Sequence, residues 1–177
     1  DPAAMMRLVK ECRDEGLPFV FDPAHQLPRL SAEDVTDGAR GAWILIGNDY
    51  ELELIMQRTG RTMDGLMELA RIVVTTLGRE GSRIATGDGV IDIPPAPARR
   101  ESDPTGAGDA YRSGLVAGLL RGLEVEEAGR VASLAATYAI EQIGTVEHSY
   151  TFAEFSQRYR EAFGAALSQK FDRPATR

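Results

Sequence analysis

The sequence predicts an α/β protein: a three-layer, doubly wound, mostly parallel sheet with helices on both faces. Three observations predict it. Trp43-Ile44-Leu45-Ile46 and Ile72-Val73-Val74-Thr75-Thr76-Leu77 are unbroken apolar or β-branched runs, as strands buried on both faces require. Segments of helical periodicity lie between and around them, the alternation that builds parallel sheets. Gly87-Asp88-Gly89 joins two strand-like stretches as a hairpin.

The elements follow in order. Asp1-Pro2 reads as N-cap and first helical position; Met5, Met6, Leu8, Val9 and Cys12 recur at helical spacing up to Gly16. Pro18 to Phe21 is a short strand ending at Asp22-Pro23. Ser31 and Asp34 form a capping-box pattern for a short helix. After the Trp43 strand, Gly47-Asn48 leads into a helix over Tyr50 to Arg58, closed by Gly60, and a further helix spans Met63 to Arg71. The Ile72 strand stops at Gly78, and the hairpin strands are Ser82 to Thr86 and Val90 to Ile93. Pro94, Pro95 and Pro97 make a stiff connector. Three helices complete the chain: Thr105 to Leu120, Val125 to Ile143 and Phe152 to Leu167. Residues 1–167 are expected as one portion of a single domain, and 168–177 as a disordered tail.

Composition narrows the function. The chain has 177 residues and a net charge of -7, which argues against a nucleic-acid partner. No apolar run reaches the roughly 18 residues of a membrane span. A lone cysteine, Cys12, permits no internal disulfide and reads as core packing on its helix stripe. No secretory signal is visible, so a cytoplasmic location is expected. His25 and His148 read as loop residues.

The segment that carries chemistry is Asp103-Pro104-Thr105-Gly106-Ala107-Gly108-Asp109. Small residues opening a helix leave N–H groups uncovered, and the aligned peptide dipoles favour an anion there. An acid placed directly after such a site stays ionised and able to accept a proton. A glycine-rich turn with a first-turn acid reads equally as ordinary helix entry. A P-loop is excluded because no Gly-Lys-Ser/Thr occurs. A dinucleotide fingerprint is disfavoured because Tyr111 stands at the third glycine.

Four segments in order resemble the ribokinase-like (PfkB) sugar and nucleoside kinases: Phe21-Asp22-Pro23, Asn48-Asp49-Tyr50-Glu51 as Asn-x-x-Glu, Thr76-Leu77-Gly78-Arg79-Glu80-Gly81 as the nucleotide loop, and Asp103 to Asp109 as the C-terminal signature. The resemblance implies an ATP-dependent kinase, a phosphotransferase acting on a hydroxymethyl group. Asp109 would be the general base, with the N–H groups of Gly106, Ala107 and Gly108 as the anion hole. Asn48 and Glu51 would organise Mg²⁺ through waters. Thr76, Gly78 and Gly81 would line the nucleotide, and Asp103 with Thr105 would match a K⁺ site. Each residue has a plainer reading: Asn48 as a cap, Glu51 as a first-turn acid facing the helix dipole, Gly78 and Gly81 as turn glycines, Asp103 and Thr105 as helix-entry caps, Gly144 as a C-cap.

The motif wording, including Gly144-Thr145-Val146-Glu147-His148, is similar to bacterial adenosine kinase relatives, so adenosine is the favoured acceptor. A sugar acceptor of the ribokinase or fructokinase kind, or a non-catalytic nucleotide-binding module, are the alternatives. The resemblance covers only the C-terminal half of the family. The N-terminal part and its lid, which can form a homodimer, are expected to be absent from this chain, and the isolated fragment is expected to be inactive.

Overall fold

The computed structural model describes residues 1–145 and 147–172. The chain divides into two compact units: Asp1–Gly78 with Arg83–Ile91, and Arg79–Ser82 with Asp92 onward.

The first unit alternates helices and strands. Helix α1 (Pro2–Asp14) is capped by the Asp1 side chain, which accepts from the Ala3 N–H. Strand β1 (Val20–Phe21) is followed by a 3₁₀ helix over Ala24–Arg29. Helix α2 (Ala32–Ala39) starts at the Ser31/Asp34 capping box. Then come β2 (Ile44–Asn48), α3 (Asp49–Thr59), α4 (Met63–Met67) and β3 (Ile72–Thr76). The hairpin strands are β4 (Ser82–Thr86) and β5 (Gly89–Ile93). The five strands lie in the order β1-β2-β3-β4-β5. β1, β2 and β3 are parallel, with Ile44 opposite Val20 and Ile72, and Asn48 opposite Thr76. The connection from Leu77 to Gly81 is too short for a parallel crossover, so the sheet is mixed. Successive burial of Ile44, Leu45, Ile46 and Gly47 shows that β2 is covered on both faces. Phe21, Val35, Leu45, Leu52, Ile55 and Val73 form the centre of this unit's core. The Phe21 ring fills the place of a side chain at Gly38: a Cβ there would lie 2.3 Å from Phe21 Cζ.

The second unit is helical: α5 (Ala107–Leu120), α6 (Val125–Ile140) and α7 (Phe152–Phe163). α5 and α6 pack through small residues. A Cβ on Gly114 would lie 2.9 Å from Ala132 Cα, and one on Gly118 3.0 Å from Ala128 Cβ. The small residues of α6 therefore serve helix packing, with Ala128, Ala132 and Ala139 fully buried.

The three helices are shorter than their sequence patterns. α5 begins at Ala107, after Gly106 takes φ +84° as its N-cap. α6 ends at Ile140 because the carbonyls of Ile140 and Glu141 are drawn off by the preceding connector. α7 ends at Phe163, where Gly164 adopts φ +68°. Likewise α4 stops at Met67. Residues 169–172, expected within a disordered tail, form a 3₁₀ turn whose Phe171 ring lies 5.8 Å from that of Phe155. The remainder of that tail, 173–177, lies outside the described residues, as does Val146 of the Gly144–His148 segment. Among the described residues, no helix is long and apolar enough to cross a membrane.

Candidate functional site

In the first unit, the parallel register brings two of the predicted motifs together. Asn48 ends β2 and Thr76 ends β3, directly opposite each other at the carboxyl ends of the strands. Open α/β sheets bind ligands at that end. Asp22 follows β1 at the same end. Asn48 is also the N-cap of α3: its Oδ1 accepts from Glu51 N–H at 2.7 Å, while Glu51 Oε2 accepts from Asn48 N–H at 2.9 Å. This capping box gives both residues a structural duty: Asn48 is the cap of its plainer reading, and Glu51 closes the box in return. It also fixes the Glu51 carboxylate at the mouth of the strand. Gly47, inside β2, leaves room for Leu52: a Cβ there would lie 2.5 Å from Leu52 Cδ2. Gly78 adopts φ +58° and opens a 3₁₀ turn over Gly78–Glu80. His25 is exposed in the first 3₁₀ helix.

The second unit holds the glycine-rich loop. Gly81 belongs here and is a packing glycine, since a Cβ would lie 2.1 Å from the Ile93 carbonyl oxygen. Asp103 closes the turn before α5. Its Oδ1 accepts from Thr105 N–H at 2.9 Å and its Oδ2 from Gly144 N–H at 3.2 Å. The Asp103 N–H donates in turn to the Ile140 carbonyl at 3.1 Å. Gly106 at φ +84° lies against Thr145, with a Cβ there 3.2 Å from Thr145 Cα.

Of the three N–H groups expected to be free, Ala107's is not: it donates to the Pro104 carbonyl at 3.2 Å. Among the described residues, those of Gly106 and Gly108 have no backbone acceptor, and nothing lies within 4 Å of a Cβ built on Gly108. Among the described residues the loop thus offers two unengaged donors at the positive end of α5, with open space beside Gly108 and Thr145 beside Gly106. Asp109 stands on the first turn with its side chain 75% exposed and receives Nη2 of Arg112, an ion pair the motif reading did not include. The i,i+3 spacing was the available signal. Tyr111 is an anchor: its hydroxyl lies 2.6 Å from Ser82 Oγ. Burial pushes the Tyr111 phenol up to about 12, against the opposing Ser82 bond, so it stays neutral.

Hydrogen bonds from Thr105, side chain first and then main chain, and from Gly144 hold Asp103 below the ordinary carboxylate range. The depressed value fixes the sign of its pH dependence. The Asp103 contribution is present above its unfolded pKa, about 3.9, and is lost as pH falls through the lower folded value. Asp103→Ala is therefore expected to raise amide exchange at Thr105 and Gly144 at pH 7. The unsubstituted loop keeps its protection down to about pH 4. Unchanged exchange in the variant would refute this role for the carboxylate.

Other features stand apart from these motifs. A cleft of about 540 Å³ lies along α6 and α7, bordered by Arg99, Tyr138, Tyr150, Gln157 and Arg158, and holds no residue of the predicted set. Among the described residues, no three or more His, Cys, Asp and Glu side chains gather as a metal cage.

Comparison with known proteins shows the family and the fold. The profile of the pfkB family carbohydrate kinases matches residues 1–151. The chain is 34% identical over 165 residues to a nucleoside kinase of Methanothermobacter thermautotrophicus, covering 93% of this chain and 53% of that protein. The solved structure of a Burkholderia thailandensis nucleoside kinase in complex with inosine superposes with a TM-score of 0.89 at 34% identity, covering 91% of this chain and 53% of that one. The same kinase in complex with ADP-inosine gives 0.89 at 34%, over 92% and 51%. The chain spans about half the length of the curated relatives it matches.

Proposed function

The chain belongs to the pfkB family of carbohydrate kinases, with a ribokinase-like fold, and from that premise we propose that the protein is an ATP-dependent kinase phosphorylating a nucleoside hydroxymethyl group. The observation that carries the proposal is the start of α5: N–H groups of Gly106 and Gly108 with no acceptor among the described residues, open space at Gly108, and the exposed Asp109 carboxylate on the next residue.

Phosphoryl transfer asks mostly for positioning and charge stabilisation. The acceptor oxygen forms a bond to the γ-phosphorus, the bond to the ADP oxygen breaks, and the hydroxyl proton passes to Asp109. The loop N–H groups meet the charge on the transferring phosphoryl. Ala107 takes part only where its bond to Pro104 yields. Thr76 and Gly78, and Gly81 in its own unit, serve the nucleotide. Asn48 and Glu51 are the residues that would hold Mg²⁺. The Glu51 carboxylate, ordered by the Asn48 N–H, suits an ion that keeps its waters and is otherwise bound by phosphates. Mg²⁺ supplies neutralisation of the phosphate charge when bound. A K⁺ at Asp103 and Thr105 would share a carboxylate already held by two N–H groups.

Adenosine is the acceptor favoured by the motif wording, and the relatives named nucleoside kinases, one of them complexed with inosine, extend the reading to purine nucleosides. The family's carbohydrate kinases favour a sugar as the second reading. A cytoplasmic location and a homodimer of the full-length protein belong to the same proposal. The test is acceptor-dependent ADP release by the full-length protein with Mg-ATP. The panel is adenosine, inosine, ribose and fructose, in K⁺ and in choline buffers. Adenosine and inosine are expected to stimulate release most. A response to the sugars alone transfers the assignment to a sugar kinase, and no response to any acceptor refutes the kinase.

A further inference from the structure

We infer that Arg112 is a positioning residue for the base: its guanidinium fixes the Asp109 carboxylate for the acceptor hydroxyl. The inference rests on the kinase reading above and adds to it a residue outside the matched motifs.

Asp109 needs an external hold. Three quarters of its side chain is exposed, so packing does not select its rotamer. Arg112 is placed to supply one. It lies three residues on along α5, on the same helix face, and its side chain is only 30% exposed. Its Nη2 donates to Asp109 Oδ1. A charge-assisted bond from a rigid, planar donor orients a carboxylate as well as attracting it. With Oδ1 engaged, Oδ2 is the oxygen presented to the acceptor proton.

Helix stabilisation accounts for only a small part of this arrangement. Side chains on a helix lean toward its N-terminus, so Arg112 directs its cation at the positive end of the α5 dipole. Burial also lowers the Arg112 pKa from its ordinary value, a cost of keeping a cation there. A partly exposed ion pair returns little stability of its own. Geometry is what the pair can offer. A base misplaced by about 1 Å can cost around 10²-fold in rate.

A double-mutant cycle in the full-length protein tests the inference, with Arg112→Met, Arg112→Gln and Arg112→Lys each made alone and in an Asp109→Asn background. Arg112→Met and Arg112→Gln are expected to lower kcat by about 10- to 100-fold. KM for Mg-ATP should stay within about twofold, and Arg112→Lys should recover part of the loss. In the Asp109→Asn background the same changes are expected to add less than about twofold, because the group they act through is gone. An equal loss in both backgrounds, or a raised KM for ATP at unchanged kcat, overturns the inference and makes Arg112 a phosphate contact or a purely structural residue. The two readings fail separately. Asp109→Asn with normal kcat removes the base itself. A large Asp109→Asn effect beside normal Arg112 variants removes only the positioning role.

Discussion

Asp109→Asn is expected to lower kcat for phosphoryl transfer by about 10²–10⁴-fold under the proposed mechanism, the usual contribution of one general base. The substitution preserves size and the oxygen that faces Arg112, but the amide cannot accept the acceptor proton. Its effect on folding is expected to be small, because the side chain is 75% exposed and makes its contact across the helix surface. Such surface changes usually stay within about 0.5 kcal/mol. KM for Mg-ATP is expected to hold, since nucleotide binding is assigned to the loop N–H groups, Mg²⁺ and the strand-end residues. The measurement is steady-state ADP release alongside thermal unfolding. Unchanged kcat in a folded variant removes Asp109 from the mechanism. Loss of kcat together with a collapse in stability would instead give Asp109 a structural role.

How far the sequence disclosed this depends on how local each determinant is. β3 was legible because Ile72 to Thr76 is an unbroken β-branched run, and α2 because Ser31 and Asp34 cap each other within one turn. The order of the motifs disclosed the family. It did not disclose that Asn48 stands opposite Thr76, which follows from strand register. Helix ends were least legible where distant groups set them. The α6 pattern runs apolar to Ile143, yet Ser102 and Asp103 claim the Ile140 carbonyl and end the helix there. The same limit applied to the anion loop: composition marked Gly106, Ala107 and Gly108 alike, and only the fold committed Ala107 to Pro104. Arg112 was within reach at i,i+3 from Asp109. Glu141 and Arg158 were not, because nothing local links two residues on different elements.

That last pair carries the second large expectation: Arg158→Met destabilises the protein by about 3–5 kcal/mol, the usual cost of stripping one partner from a buried ion pair. Arg158 and Glu141 side chains are 6% and 8% exposed. The guanidinium donates through Nη1 and Nη2 to both Glu141 carboxylate oxygens, and through Nη2 to the Pro97 carbonyl at 3.2 Å. Its Cζ also sits 4.5 Å over the Tyr138 ring. The Arg99 N–H donates to Glu141 Oε1 at 2.5 Å, and the Glu141 carbonyl accepts from Arg100 Nε and Ser102 Oγ. The pair therefore ties α7 to the end of α6 and to the connector leading into Asp103, so faster amide exchange at Thr105 should accompany the loss. Burial pushes the Glu141 carboxyl up, but the bonds from Arg158 and Arg99 outweigh it and leave the pKa lowered. In the unsubstituted protein this contribution is present above the unfolded value, about 4.3, and is lost as pH falls through the lower folded value. Without Arg158 the carboxyl loses its strongest lowering partner and its pKa moves up from the unsubstituted protein's, so the variant's penalty is greatest at neutral pH and shrinks as Glu141 takes up a proton. Urea unfolding at pH 7 and pH 4 measures both quantities, and pairing Arg158→Met with Glu141→Leu should recover much of the stability. A loss at pH 7 below about 1 kcal/mol, the value of an exposed pair, would mean that the cluster does not anchor the loop.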